Sequence, residues 1–304
     1  GEASVSRGSV SVKIINSRGG QAAYRRSSFS LALGGQLTRD TDMLFVGESA
    51  SSCRPLTDSV AVTEPVLRQL EMARSNAAVA SGNLPVIFTP QGTASALMLP
   101  LMAAFNGKTA LEGASPLSHR RGQTVFDRKL FLDDDPTLAY RPASRPCDDE
   151  GVPSQRTPLV STGAVAGFLY DLQTAALAGT RSTASGRRRG GSPPSPAPSA
   201  FIISPGETPL AEMLRDIREG LVIEQLMGAD QGNILGGDFS GNVLLGYKIE
   251  NGEMVGRVKD TMVSGNIYRA LQEIAAVSRE SRWVGGFLSS PYLYLPALTV
   301  ASKT

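Results

Sequence analysis

Asn251-Gly252 stands between two apolar runs, Val243 to Ile249 and Met254 to Val258. A two-residue loop of this kind needs φ > 0 at both positions, which Asn and Gly tolerate, and its twist matches that of two paired strands. The last third of the chain is therefore predicted to hold an antiparallel hairpin. Further strands are expected over 221–226 and 292–300. Thr208 and Pro209 should start a helix closed by Gly220, and another helix should run from about Asn266 to Val277.

The first third also opens with strands. Ser9 to Ile15 alternates, Asn16 to Gly20 is turn chemistry, and Gln21 to Leu33 reads as the return strand. A helix from about Glu64, capped by Thr63, places Val66, Leu70, Ala73 and Ala77 on one face and stops by Gly82. Pro85 to Thr89 is a short strand, and Pro90 opens an apolar helix that Pro100 should kink or end. Arg128 to Leu132 and Pro158 to Ser161 read as strands, with a turn at Thr162-Gly163 and a strand through Tyr170. Arg181 to Ser199 has no apolar period and predicts a long exposed loop. Strands outnumber helices and favour neighbouring hairpins, so the class is α+β with a largely antiparallel sheet.

The rarest residues exclude most. His119 is the sole histidine, and Cys53 and Cys147 are the only cysteines. A structural zinc finger needs four Cys/His ligands and catalytic zinc usually takes two or three histidines, so one chain supplies neither. Two distant cysteines read as free thiols of a reducing cytosol. The net charge of +2 gives no nucleic-acid signature. No residue from Ser75 to Gly107 is charged, but its densest part, Gly92 to Phe105, has the length of a buried helix and not of a bilayer span. The start GEASVSRGSVSV lacks a charged segment followed by an apolar core, so no signal peptide is expected. A cytoplasmic protein without membrane contact is the expectation.

Candidate chemistry is thin. Gly107-Lys108-Thr109 lacks the earlier glycine of a phosphate loop, since Met102 stands there. Gly237-Asp238-Phe239-Ser240-Gly241 has its serine one place too late for a nucleophile elbow. His119 could serve a triad, although Arg120 and Arg121 beside it favour a surface position. Asp133 to Asp135 looks like a strand end in water, and Asp148, Asp149 and Glu150 lie near Arg145. Both acidic runs could hold a hard cation, but a structural ion-paired turn is the favoured reading. Arg187 to Arg189 could touch phosphate or an acidic partner, or simply be solvated.

At the acidic turn a family becomes recognisable. Ser144 to Pro153 (SRPCDDEGVP) followed by Arg156-Thr157 resembles the signature of the TldD/PmbA family. Further blocks agree in order: TPLVSTGAVAGFLYD from Thr157, Arg181 to Ala184, Phe201 to Gly206, Leu226 to Gly228 ahead of Gly236 to Ser240, Gly246 to Glu253, Ser264 to Asn266, and Leu298 to Ala301. The resemblance covers about residue 85 to the end. It implies a C-terminal domain at 83–304 with flanking helices, and makes 1–82 the latter part of an α/β N-terminal domain.

The resemblance further implies cytosolic peptidases that act as paired subunits, linked to maturation of gyrase-targeting peptides and to antitoxin turnover. The catalytic subunit carries His-Glu-x-x-x-His at the start of the helix after a short strand, where both imidazoles can reach one zinc. Here that helix begins Pro90-Gln91-Gly92-Thr93-Ala94-Ser95, and no cysteine follows Cys147. The chain thus resembles the PmbA (TldE) type of subunit, with no catalytic residue, metal ligand or cofactor of its own. Expected partners are a zinc-bearing TldD-like subunit or a second copy, and a peptide substrate. Arg145, Asp148, Asp149, Glu150 and Arg187 are the candidate contacts to peptide or partner. Two other readings stand beside this one. One is a stand-alone peptide-binding protein acting on a toxin–antitoxin or gyrase system, and the other a non-zinc hydrolase using His119 or the acidic turn. The uncharged stretches Leu159 to Tyr170 and Leu293 to Val300 must be central strands, paired edges or partner-covered surfaces.

Overall fold

The computed structural model describes residues 1–40 and 42–303. Strands β1 (Glu2–Ile15), β2 (Gln21–Arg39) and β3 (Asp42–Ser52) form a three-stranded antiparallel sheet in that order. β1 and β2 pair from Glu2↔Gly34 to Ile15↔Gln21, making a long ribbon whose Asn16–Gly20 end is the expected turn. Helix α1 (Val60–Met72) packs on β3. Its N-cap is Ser59 and not Thr63, and it ends ten residues before Gly82. Gln69 clamps helix to strand, accepting the Gly47 N–H at 2.8 Å and donating to the Gly47 carbonyl at 3.3 Å.

β4 (Gly82–Phe88) leads through α2 (Pro90–Ala96) into α3 (Met98–Ala104) and α4 (Gly107–Leu111). The break at Leu97 falls just ahead of Pro100, whose missing N–H cannot continue the first helix. The middle of the chain is irregular. It holds β5 (Leu132–Asp134), β6 (Thr157–Ser161), β7 (Ala164–Val165), α5 (Leu172–Leu177), the two-residue strands β8 (Gly186–Arg187) and β9 (Ser195–Pro196), and β10 (Phe201–Ile203). The final third adds α6 (Leu210–Arg215), β11 (Glu219–Met227), β12 (Asp238–Glu250), β13 (Glu253–Arg257), β14 (Thr261–Asn266), α7 (Ile267–Ala270), β15 (Ala276–Val284) and β16 (Leu288–Ser302).

The mixed α+β class holds, but the C-terminal sheet closes. β12 pairs β11, β11 pairs β4, β4 pairs β16, β16 pairs β14, and β14 returns to β12, giving a barrel. The β11–β4 and β10–β16 pairs are parallel, which short-range patterning cannot foresee because the partners are far apart in sequence. At the barrel's hairpin Asn251 (φ 51°) and Gly252 (φ 87°) take the left-handed conformations expected of them. The expected helix over 266–277 is one turn, α7, followed by strand β15. The helix at 210 is capped by Pro209, and Thr208 instead accepts the Arg279 N–H at 2.9 Å through its carbonyl.

β4 is buried on both faces, which explains its unbroken apolar run. Val86 and Phe88 join a core with Leu221, Ile223, Phe239, Leu293 and Leu295, while Ile87 packs with Val66, Val222 and Tyr247 on the other side. Each such side chain contributes roughly 1.5–3 kcal/mol of burial. β16 is paired along Leu293 to Val300 by β4 on one side and by β15 and β14 on the other, so this uncharged stretch lies inside the sheet, with Pro296, Ala297 and Thr299 exposed. Among the described residues, no helix is long and apolar enough to cross a membrane.

Candidate functional site

The five candidate residues come together where the loop before β6 meets the β8–β9 hairpin. Asp148, fully buried, spends its carboxylate on backbone: Oδ1 accepts the N–H groups of Glu150 (3.0 Å) and Val152 (2.9 Å), and Oδ2 that of Gly186 (3.0 Å). Asp149 accepts the Arg188 N–H at 2.8 Å, and its Oδ1 lies 3.5 Å from Nη1 of Arg145. Glu150 accepts the Leu172 N–H at 2.7 Å at the start of α5, and burial pushes its carboxyl up. Arg187 lies partly buried, where desolvation and then the Arg145 charge hold its guanidinium below the usual range.

Gly186 makes this packing possible. A Cβ there would lie 2.6 Å from Oε2 of Glu150 and 3.0 Å from Oδ2 of Asp148. The expected exposed loop from Arg181 to Ser199 is accordingly corrected. Ala184 to Gly186 are buried at the acidic turn, and Pro196 to Ser199 are largely buried against Asn106, Ser185 and Asp134, while Arg181, the tip from Arg188 to Pro193 and Ser195 are open. The composition of the segment reports the tip; Asp148 and Asp149 hold Gly186 and Arg188, and Asn106, Ser185 and Asp134 hold the second flank.

Asp133 to Asp135 is likewise not a strand end in water, since all three are buried. Asp133 pairs with Arg156 at 2.7 Å, and Asp134 Oδ1 accepts the N–H groups of Ser199 and Ala200, each at 2.7 Å. Burial pushes the Asp134 carboxyl up to about 6 despite those two bonds. The ion-paired reading holds for Asp133 and Asp149 alone; the other four carboxylates bond backbone N–H groups or, for Asp135, Thr137. His119 is exposed, and its carbonyl accepts from the Gln123 side chain at 3.3 Å.

A second locality was missed in the sequence. β4 ends at Phe88, opposite Ile223 of the parallel strand β11, and α2 starts directly after it. The Thr89 N–H donates to the Ile223 carbonyl at 3.0 Å, and Gly92 approaches that carbonyl so closely that a Cβ would lie 2.2 Å away. Thr89 caps the helix by accepting the Gly92 N–H at 3.1 Å and donates its own hydroxyl to Oε2 of Glu224 at 3.1 Å. Glu224 is held in low-dielectric surroundings that raise its carboxyl, with Arg282 and Thr89 opposing. Beside it the buried Tyr247 hydroxyl has no hydrogen-bond partner among the described residues. This corner opens into a groove of about 710 Å³ between the first sheet and the barrel, lined in part by Gln91, Glu48 and Glu224. The one signal available was a single charge, Glu224, inside the apolar strand LVIEQLM.

The groove cannot hold zinc through the start of α2. Pro90 is buried, Gln91 offers only an amide, and the Ser95 hydroxyl donates to the Gly92 carbonyl at 2.8 Å and accepts the Leu226 N–H at 3.2 Å. No group of three or more His, Cys, Asp and Glu side chains able to hold a metal occurs among the described residues. Neutral amide, hydroxyl and proline do not meet the imidazole or thiolate preference of zinc.

The family profile described as the PmbA/TldA metallopeptidase C-terminal domain matches residues 81–302. The chain belongs to the TldD/PmbA family. Among curated relatives, it is 29% identical over 263 residues to an uncharacterised protein of Methanocaldococcus jannaschii, covering 86% of this chain and 60% of that protein. A metalloprotease of Methanothermobacter thermautotrophicus is 28% identical over 209 residues, 68% of this chain and 45% of that one. This family member thus spans about half to three fifths of their length. The fold is that of TldE from Thermococcus kodakarensis, with a TM-score of 0.85 at 24% identity over 99% of this chain and 68% of that one.

Proposed function

We propose that this chain is a PmbA/TldE-type subunit of a cytoplasmic TldD/PmbA metallopeptidase system, lacking a zinc site and working with a zinc-bearing TldD-like subunit in peptide maturation or turnover. The observation that carries the reading is the start of α2, where Pro90, Gln91 and Ser95 stand in the stretch that in the catalytic type supplies His-Glu-x-x-x-His. Without imidazoles there is no Lewis acid to polarise a peptide carbonyl and no metal-bound water to attack it. The groove beside Gln91 and Glu224 is the space such a subunit would offer to an extended peptide. The chain's two cysteines are free thiols, in keeping with a reducing compartment.

The same reading divides the chain into residues 1–82, a sheet with one helix, and residues 83–304, the barrel with its loops. It makes the outer face of the acidic turn a contact for peptide or partner. Asp149, Glu150 and Arg187 keep partial exposure there, while Arg145 and Asp148 hold them from beneath. Light scattering of the chain alone, and mixed with the zinc-bearing homologue of its own cell, tests the pairing. A stable complex that cleaves an unfolded peptide supports it. A monomer that binds peptide but ignores that homologue supports the stand-alone binding protein instead.

A further inference from the structure

Buried hydrogen-bond donors without acceptors collect in the loop between β5 and β6. The Arg145 side chain is 2% exposed, yet its Nε and Nη1 make no hydrogen bond among the described residues. Its remaining nitrogen, Nη2, reaches only the Ala184 carbonyl, at a long 3.4 Å. The hydroxyls of Ser144 and Ser154 are buried and, among the described residues, unpartnered as well. Native proteins rarely leave such groups unpaired, and several within one loop point to a missing acceptor.

These three residues, with Arg26 and Arg141, line one open cleft of about 390 Å³, and no carboxylate lines it among the described residues. The nearest acid to Arg145 is Asp149, at an ion-pair distance that does not satisfy Nη1. Asp135, next in sequence to the lining residue Pro136, spends its Oδ1 on both the N–H and the hydroxyl of Thr137. Two of the guanidiniums are preset. Arg26 donates to the Ser144 carbonyl at 3.3 Å, and Arg141 lies 4.5 Å over the Trp283 ring, which leaves the edge of its fork free. Planar forks held in place suit bidentate recognition of a carboxylate or phosphate.

We propose that this cleft binds a small oxyanion, a phosphate or a peptide carboxylate, between Arg26, Arg141 and Arg145. The anion would supply the acceptor that the buried donors lack and offset the cost of gathering three guanidiniums. The site is separate from the groove at α2 and does not depend on any zinc-bearing partner.

Isothermal titration calorimetry on the full chain at constant ionic strength tests this. Three probes are used: inorganic phosphate, a short peptide with a free C-terminal carboxylate, and the same peptide as its amide. Saturable binding of phosphate alone assigns a free inorganic anion, and tighter binding of the acid than of the amide assigns a peptide carboxylate. Either way Arg26→Gln and Arg141→Gln should each weaken binding about tenfold, the scale of one charge-assisted hydrogen bond. Arg145 is too buried for a safe first substitution, so these two rim variants carry the test. Absence of saturable binding by phosphate and by the acid peptide, or unchanged affinity in both variants, would overturn the proposal.

Discussion

The Thr89 hydroxyl joins a helix cap to a strand charge: it accepts the Gly92 N–H and donates to Oε2 of Glu224, both at 3.1 Å. One oxygen therefore fixes where α2 begins, at the end of β4 and beside mid-β11. Thr89→Ala removes both bonds and should cost about 1–2 kcal/mol, the usual scale of a lost cap. Thr89→Ser should recover most of it. Urea denaturation of the three proteins checks this, and equal midpoints for Ala and wild type would show that the cap contributes nothing.

Gly252 closes the β12–β13 hairpin at φ 87°, and a Cβ there would meet the Arg215 Cα at 3.0 Å. Gly252→Ala combines left-handed strain with a backbone contact. It should lower stability by about 1–2 kcal/mol. A melting temperature unchanged from wild type would mean that the turn relaxes freely.

The hairpin was legible because its information is local, two adjacent residues with one preferred geometry. The strands flanking it and the doubly buried run at Val86 to Phe88 were legible for the same reason. Barrel closure was not, since β14 meets β16 through residues such as Val263 and Val300, which no local period links. The acidic turn was legible as a cluster from Asp148, Asp149 and Glu150 with Arg145, and Arg187 joined it in space. What composition could not report was burial. A Pro/Gly/Ser/Arg segment reads as solvent, yet Gly186 is pinned by Asp148 from 38 positions away. Glu224 was overlooked because a lone charge in a strand has no motif around it.

Asp148 should behave as a structural residue. Asp148→Ala leaves the N–H groups of Glu150, Val152 and Gly186 without their acceptor, and each buried orphan costs about 1–3 kcal/mol. The expected outcome is loss of the native fold or a large drop in its melting temperature. Glu150→Gln keeps an acceptor for Leu172 and should change stability little. Similar melting curves for Asp148→Ala and wild type would contradict the assigned role.

Asp134 predicts a definite pH dependence. Its folded value of about 6 lies above the unfolded value of about 3.9. Its contribution to stability is thus fully present below the unfolded value and is lost as pH rises through the folded one. Asp134→Asn keeps an oxygen for the Ser199 and Ala200 N–H groups but carries no charge to bury. The melting temperature of the variant relative to wild type should therefore rise between about pH 4 and pH 7, the window that spans the unfolded and folded values. A constant or shrinking difference would show that the carboxylate is not penalised by its burial.

The central claim is that this subunit contributes shape and contacts but no metal. Elemental analysis of the purified chain, paired with a peptide-cleavage assay before and after adding the zinc-bearing homologue, tests it most directly. The account predicts zinc far below one per chain, no cleavage by the chain alone, and cleavage only in the mixture. About one zinc per chain, with cleavage by the chain alone that a chelator abolishes, would contradict it.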